Sequence, residues 1–118
     1  MSEKRVLADK RGRQAEDDAA GWLADQGWDI LAKRVKTKLG EIDLIARKAG
    51  LVAFVEVKWR RRAADLATAI DERRLARVAA AVSVVGHEYV SEGEDMRIDV
   101  ILLAPGAFPR HIANAWMP

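Results

Sequence analysis

A chain of 118 residues with 20 Lys and Arg against 18 Asp and Glu carries a formal net charge of +2, and a length of this order is expected to fold as one domain around one core. Half of the residues are hydrophobic and 32% are charged, a globular rather than a disordered balance. Cysteine is absent, which removes disulfides, thiolate metal sites and cysteine nucleophiles. No apolar run approaches the ~20 residues of a membrane helix, and no secretory pattern follows the opening Met1-Ser2-Glu3-Lys4-Arg5, so a cytoplasmic protein without membrane contact is expected.

Residues 1–11 are polar and charged without a period, which predicts a mobile tail before a domain spanning 12–118. From Gly12 the spacing of Ala15, Ala19, Ala20, Trp22 and Leu23 predicts a helix that stops near Gly27. Trp28–Val35 reads as a first strand, Glu41–Ala46 as a second and Leu51–Lys58 as a third, with Lys48-Ala49-Gly50 as the turn between the last two. Asp71 caps a predicted second helix whose face is Leu75, Val78, Ala79, Val82 and Val85 and which Gly86 stops. Arg97–Leu103 and a short Ile112–Trp116 complete the strands. This order predicts an α/β domain, a mixed central β-sheet flanked by helices. Strands two and three are apolar on both faces, as strands covered on both sides must be.

Two carboxylates interrupt those strands: Asp43 lies between Ile42 and Leu44, and Glu56 between Val55 and Val57 with Lys58 two residues on. Side chains alternate across a strand, so Glu56 and Lys58 share a face. Asp43 joins them if the hairpin turn holds an even number of residues: with Ala49-Gly50 as a two-residue turn it stands directly opposite Glu56, ~5 Å away, and with residues 47–50 in the turn the two are diagonal neighbours at ~7 Å. Burying two neighbouring acids is costly without compensation. A divalent cation compensates well, because Mg²⁺ is satisfied by one or two carboxylates and a substrate phosphate; a structural Asp–Lys–Glu ion-pair cluster serves the same spacing. Glu16 adds weight to the cation, since it lies three, four and seven residues before Ala19, Ala20 and Leu23 and so on the apolar stripe of the first helix. Asp99, between Ile98 and Val100, is expected to be a structural partner of an Arg or Lys.

Other chemistries are excluded. Ser2, Ser83 and Ser91 stand in no G-x-S-x-G elbow, and the chain has no Walker loop, G-x-G-x-x-G or H-E-x-x-H. His87 and His111 are isolated in sequence. Trp59 points away from Glu56 and Lys58 and is expected in the core. Charge is uneven: residues 1–62 hold 15 basic and 10 acidic side chains, residues 63–118 hold 5 and 8. Lys33, Arg34, Lys36 and Lys38 form one cluster and Lys58, Arg60, Arg61 and Arg62 another, the local footprint of a polyanion partner, although a solvated surface carries such runs too.

An acid on one strand and Glu-x-Lys on the next is the pattern of the PD-(D/E)xK nuclease superfamily. It is embedded in Gly12-Arg13-Gln14-Ala15-Glu16, Gly40-Glu41-Ile42-Asp43-Leu44-Ile45-Ala46, Phe54-Val55-Glu56-Val57-Lys58 with Arg60, and Asn114-Ala115. With these stretches the chain resembles, from about residue 12 to 116, the YraN family of uncharacterised bacterial proteins, itself considered endonuclease-like and similar to archaeal Holliday-junction resolvases. The resemblance implies a restriction-endonuclease-like fold and a Mg²⁺- or Mn²⁺-dependent endonuclease whose partner is DNA, branched or otherwise structured. It puts Glu16, Asp43, Glu56 and Lys58 in the active site, with Asp43, Glu56 and Glu16 toward the metal. Arg13, Lys33, Arg34, Lys36, Lys38, Arg60, Arg61 and Arg62 are then the expected nucleic-acid contacts, and a homodimer is compatible with that activity. Three positions depart from the family: Arg34-Val35-Lys36 replaces its Asn-x-Arg, Trp59 replaces a small polar residue, and its Lys at the start of the second helix falls at Arg73 or Arg74. A non-catalytic nucleic-acid-binding or scaffolding module of the same fold is the alternative.

Overall fold

The computed structural model describes residues 2–116. The chain runs α1 (Glu3–Asp25), β1 (Asp29–Lys36), β2 (Glu41–Lys48), β3 (Leu51–Trp59), a 3₁₀ turn (Ala63–Thr68), α2 (Glu72–Tyr89), β4 (Asp95–Leu103) and β5 (Arg110–Ile112). The five strands form one sheet in the order β1-β2-β3-β4-β5. All neighbours are antiparallel except β3 and β4, which are parallel. That single parallel pair needs a crossover, and the 3₁₀ turn and α2 supply it.

The two helices cover opposite faces. Ala15, Ala19, Ala20 and Leu23 of α1 pack with Leu44, Ala46, Ala53, Val55 and Ile101, while Leu75, Val78, Ala81 and Val82 of α2 pack with Ile45, Val52, Phe54, Val100 and Leu102. Strands β2 and β3 are therefore buried on both sides, as their continuous apolar runs require. Three alanines let α1 lie close to the sheet. The helix ends on a Schellman motif: Gly27 has φ +93°, its N–H donates to Ala24 and that of Trp28 to Leu23.

Three elements, α1, α2 and β5, depart most from the sequence reading. Residues 3–11 are not a tail but the first turns of α1, exposed throughout. They lack an apolar stripe, yet they contain no Gly or Pro, and the Ser2 hydroxyl caps them by accepting from Arg5 N–H. Met1 of that expected tail, and Met117 and Pro118 at the other end of the expected domain, lie outside the described residues. Gly86 does not stop α2, which continues to Tyr89. It is buried because a Cβ there would meet Val82 Cγ1 at 3.3 Å, so its role is close packing beside Phe54. The last strand sits at Arg110–Ile112, earlier than expected, because His111 pairs with Ile101.

Gly40 has a similar packing role at the β1–β2 loop. A Cβ there would lie 2.6 Å from the Arg77 carbonyl oxygen of α2, a backbone atom that cannot turn aside. Gly40→Ala is expected to lower stability by about 1–3 kcal/mol in urea unfolding. Gly21→Ala, on the open side of α1, should raise it by up to ~1 kcal/mol; equal effects of the two would show that the loop does not bear on α2.

Candidate active site

The β2–β3 turn is the two-residue Ala49-Gly50, both with positive φ (48° and 78°), the twist that a tight hairpin needs. The ladder runs from Lys48↔Leu51 to Leu44↔Val55 and stops one residue short of Asp43 and Glu56. Strict alternation fails at this point. Ile42 belongs to the core under α2 and Leu44 to the core under α1, although residues two apart in a strand should share a face. Asp43 lies at that slip, and its Oδ2 accepts the Val57 N–H at 2.8 Å. Across β1 the register brackets Arg34, a non-glycine residue at φ +52°, a sparsely populated conformation for a long side chain.

The slip joins groups from both faces. On the α2 side, Glu56 is buried; Arg74 Nε donates to its Oε2 at 2.9 Å, and Lys58 Nζ stands 3.9 Å from its Oε1. Arg74 Nη2 lies 4.0 Å from Asp43 Oδ1. On the α1 side, Glu16 points inward as its place on the apolar stripe predicts, and Arg34 Nε donates to its Oε1 at 2.7 Å. Burial, the negative charge of Glu56 and a hydrogen bond shared with it push the Asp43 carboxyl up to about 7, against the pull of the Val57 N–H and Arg74. Burial also raises Glu16, opposed by its bond to Arg34 and helped by the charge of Asp43.

Arg74 is the site residue that the apolar pattern of α2 did not single out, although the family's helix-start Lys pointed to Arg73 or Arg74. Its signal was the same as that of Glu16: it stands four residues before Val78 and seven before Ala81, on the buried face of its helix. Arg73 is exposed.

The acids form the floor of an open groove of about 400 Å³, walled by Arg11 and Gly12 of α1 and by Trp59, Arg60 and Arg74. Trp59 packs partly into the core under α1, as expected, but also faces the groove, with the Arg11 guanidinium 5.0 Å from its ring. Arg13 and Lys36 line a second hollow that shares Glu16 with the first, and Lys36 and Lys38 line a third beside Arg74 and Arg77. Arg60 hydrogen-bonds the Trp59 carbonyl, Arg61 is exposed, and Arg62 pairs with Asp65. Lys33 and Arg34 are drawn onto Asp17 and Glu16 of α1, which ties β1 to the helix. Asp99 is fully buried away from the groove and accepts from Arg97, His111 and the Asn114 N–H, so its expected pairing with Arg holds and His111, isolated in sequence, is its second partner.

Among the described residues no three His, Asp or Glu stand together as a ready-made metal cage. The pair Asp43 and Glu56 nevertheless fits Mg²⁺ or Mn²⁺. Both offer hard oxygen donors, and the strain of two adjacent buried acids, visible in Asp43, is what a divalent cation relieves. Glu16 is paired with Arg34 and also interacts with Asp43, so it adjoins that pair.

A model of the Uncharacterised protein family UPF0102 matches residues 15–103, a span that contains Glu16, Asp43, Glu56, Lys58 and Arg74. The chain belongs to this UPF0102, or YraN, family. A UPF0102 protein of Erythrobacter litoralis is 64% identical over 115 residues, covering 98% of this chain and 99% of the relative. One of Sphingopyxis alaskensis is 51% identical, covering 97% and 98%. Among solved structures, Hjc, a Holliday junction resolvase from Archaeoglobus fulgidus, is similar at a TM-score of 0.59 and 18% identity, covering 87% of this chain and 72% of the resolvase. This UPF0102 chain thus has the restriction-endonuclease-like fold.

Proposed function

We propose that the protein is a divalent-metal-dependent endonuclease that hydrolyses phosphodiester bonds in branched or structured DNA. The observation that carries this reading is the placement of two buried, adjoining carboxylates and Lys58 at the floor of a groove with a cationic rim. The resolvase-like fold agrees with it. A binding module has no use for buried acids where a phosphate must lie.

Asp43 and Glu56 would hold the metal, which when bound polarises the phosphate and makes water a better nucleophile. The Val57 N–H fixes the Asp43 carboxylate in place. Lys58, beside Glu56, offers its ammonium to the charge that builds on the phosphoryl oxygens as the water oxygen–phosphorus bond forms and one ester bond breaks. Glu16, which interacts with Asp43, would hold a second metal or the hydration shell of the first. Arg60, Arg61, Arg13, Lys36 and Lys38 grip backbone phosphates, giving affinity with little sequence selectivity.

Cleavage of linear duplex, single strand, flap and four-way junction should be assayed with Mg²⁺ and Mn²⁺. Lys58→Ala is expected to lower cleavage far more than DNA affinity. No cleavage of any substrate by well-folded, metal-bound protein would favour the binding module, and cleavage that survives Glu56→Gln would point to a contaminant. Neutralising Arg60, Arg61 and Arg62 together should flatten the plot of log affinity against log salt by ~0.9 for each phosphate that these arginines neutralise in the wild type; an unchanged slope would make this cluster ordinary surface.

A further inference from the structure

We propose that Arg74 is a transferable cation: it neutralises Asp43 and Glu56 in the metal-free protein, gives up Glu56 when a divalent ion binds, and then holds a DNA phosphate in the groove. This rests on the reading of the site as a metal-dependent nuclease. Three features of the residue carry it.

Its contacts are those that a metal would need. The guanidinium lies 2.9 Å from Glu56 Oε2 and 4.0 Å from Asp43 Oδ1, so it bridges the two carboxylates, and a doubly charged ion beside them would repel it. Its position on α2 is otherwise unfavourable. Arg74 is the third residue of a helix capped by Asp71, where the positive end of the helix dipole disfavours a cation, so it is held there by acids, Glu56 and Asp43 with Glu41 behind them. It is also not locked in. The side chain keeps 28% of its surface exposed against 3% for Glu56, and it lines both the groove over the acids and the hollow beside Lys38 and Arg77. It therefore borders the groove and the hollow at once. A planar guanidinium matches phosphate oxygens as well as it matches a carboxylate.

The handover makes metal and DNA binding cooperative, because each frees what the other needs. Calorimetry with Mn²⁺ alone should show Arg74→Ala binding the ion at least ~5-fold more tightly than the wild type, while Arg73→Ala, which removes the neighbouring exposed charge, changes affinity by less than about 2-fold. Anisotropy with a labelled four-way junction, in EDTA or in Ca²⁺ as an oxygen-seeking ion, should show a gain on adding Ca²⁺ that is about 5-fold larger for the wild type than for Arg74→Ala. If Arg74→Ala melts too early to titrate, Arg74→Gln keeps a donor for Glu56 without the charge and should give the same directions. Equal or weaker Mn²⁺ binding by the Arg74 variants, or an equal Ca²⁺ gain, would overturn the handover and leave the nuclease reading standing. Failure of wild type and variants alike to bind Mn²⁺ would overturn the metal-dependent reading itself, and the handover with it.

Discussion

Asp43→Asn is expected to cut cleavage by about 100-fold or more and, at pH 8 without metal, to make the protein more stable than the wild type. Burial and Glu56 push the Asp43 carboxyl up to about 7 from an ordinary 3.8. Between those values the folded protein binds more protons than the unfolded chain, so stability falls as pH rises through the window, and above about 7 the full penalty stands. Asparagine cannot ionise, and its amide oxygen still accepts the Val57 N–H. The variant should therefore gain about 1–3 kcal/mol over the wild type at pH 8, a rise of several degrees in melting temperature, and little or nothing near pH 4. Mn²⁺ should raise the melting temperature of the wild type and not that of the variant. Urea unfolding at pH 5 and 8 and a metal titration by thermal melting test this; a stability difference that does not change with pH would mean that Asp43 is not held in a strained, charged state.

Asp99→Ala should do the opposite, lowering stability by about 3–5 kcal/mol, a large share of the 5–15 kcal/mol typical of such a domain. Asp99 is as buried as Asp43, but burial is more than offset: hydrogen bonds from His111 at 2.7 Å, Arg97 at 2.8 Å and the Asn114 N–H at 2.9 Å hold its carboxyl below the usual range. Its contribution is thus present at neutral pH and lost as pH falls through that depressed value. Removing it strands the Arg97 guanidinium beside Trp28 and leaves His111, packed edge-on against Trp22 and Trp28, without its acceptor. At a temperature where the variant is still folded, Mn²⁺ affinity should equal that of the wild type. A variant with normal melting and impaired metal binding would move Asp99 from the scaffold into the site.

The contrast between these acids explains what the sequence could reveal. Asp43, Glu56 and Asp99 look alike in sequence, each flanked by aliphatic residues in a strand; only three-dimensional partners separate them. The Ala49-Gly50 turn was legible because turn length is local chemistry, whereas the slip in alternation at Asp43 depends on how two cores compete for Ile42 and Leu44. Glu16 was legible because one acid on an alanine-rich stripe stands out. Arg74 obeys the same spacing, but a cation next to Arg73 reads as surface until Glu56 is seen beneath it. The exposed turns of α1 and the position of β5 were misread for one reason: capping and strand pairing, rather than an apolar period, decide where they lie.

The hydrogen bond from the Val57 N–H to Asp43 gives the site a built-in reporter. An amide that donates to a carboxylate senses whether that oxygen carries charge, a proton or a cation, so its ¹⁵N–¹H resonance should follow each change of state without any label in the groove. Because the Asp43 carboxylate meets Glu16 on one side of the sheet and Glu56 and Arg74 on the other, this one signal listens to both helices. Truncation of Leu23 beneath α1 and of Phe54 beneath α2, though they belong to separate cores, should each displace it.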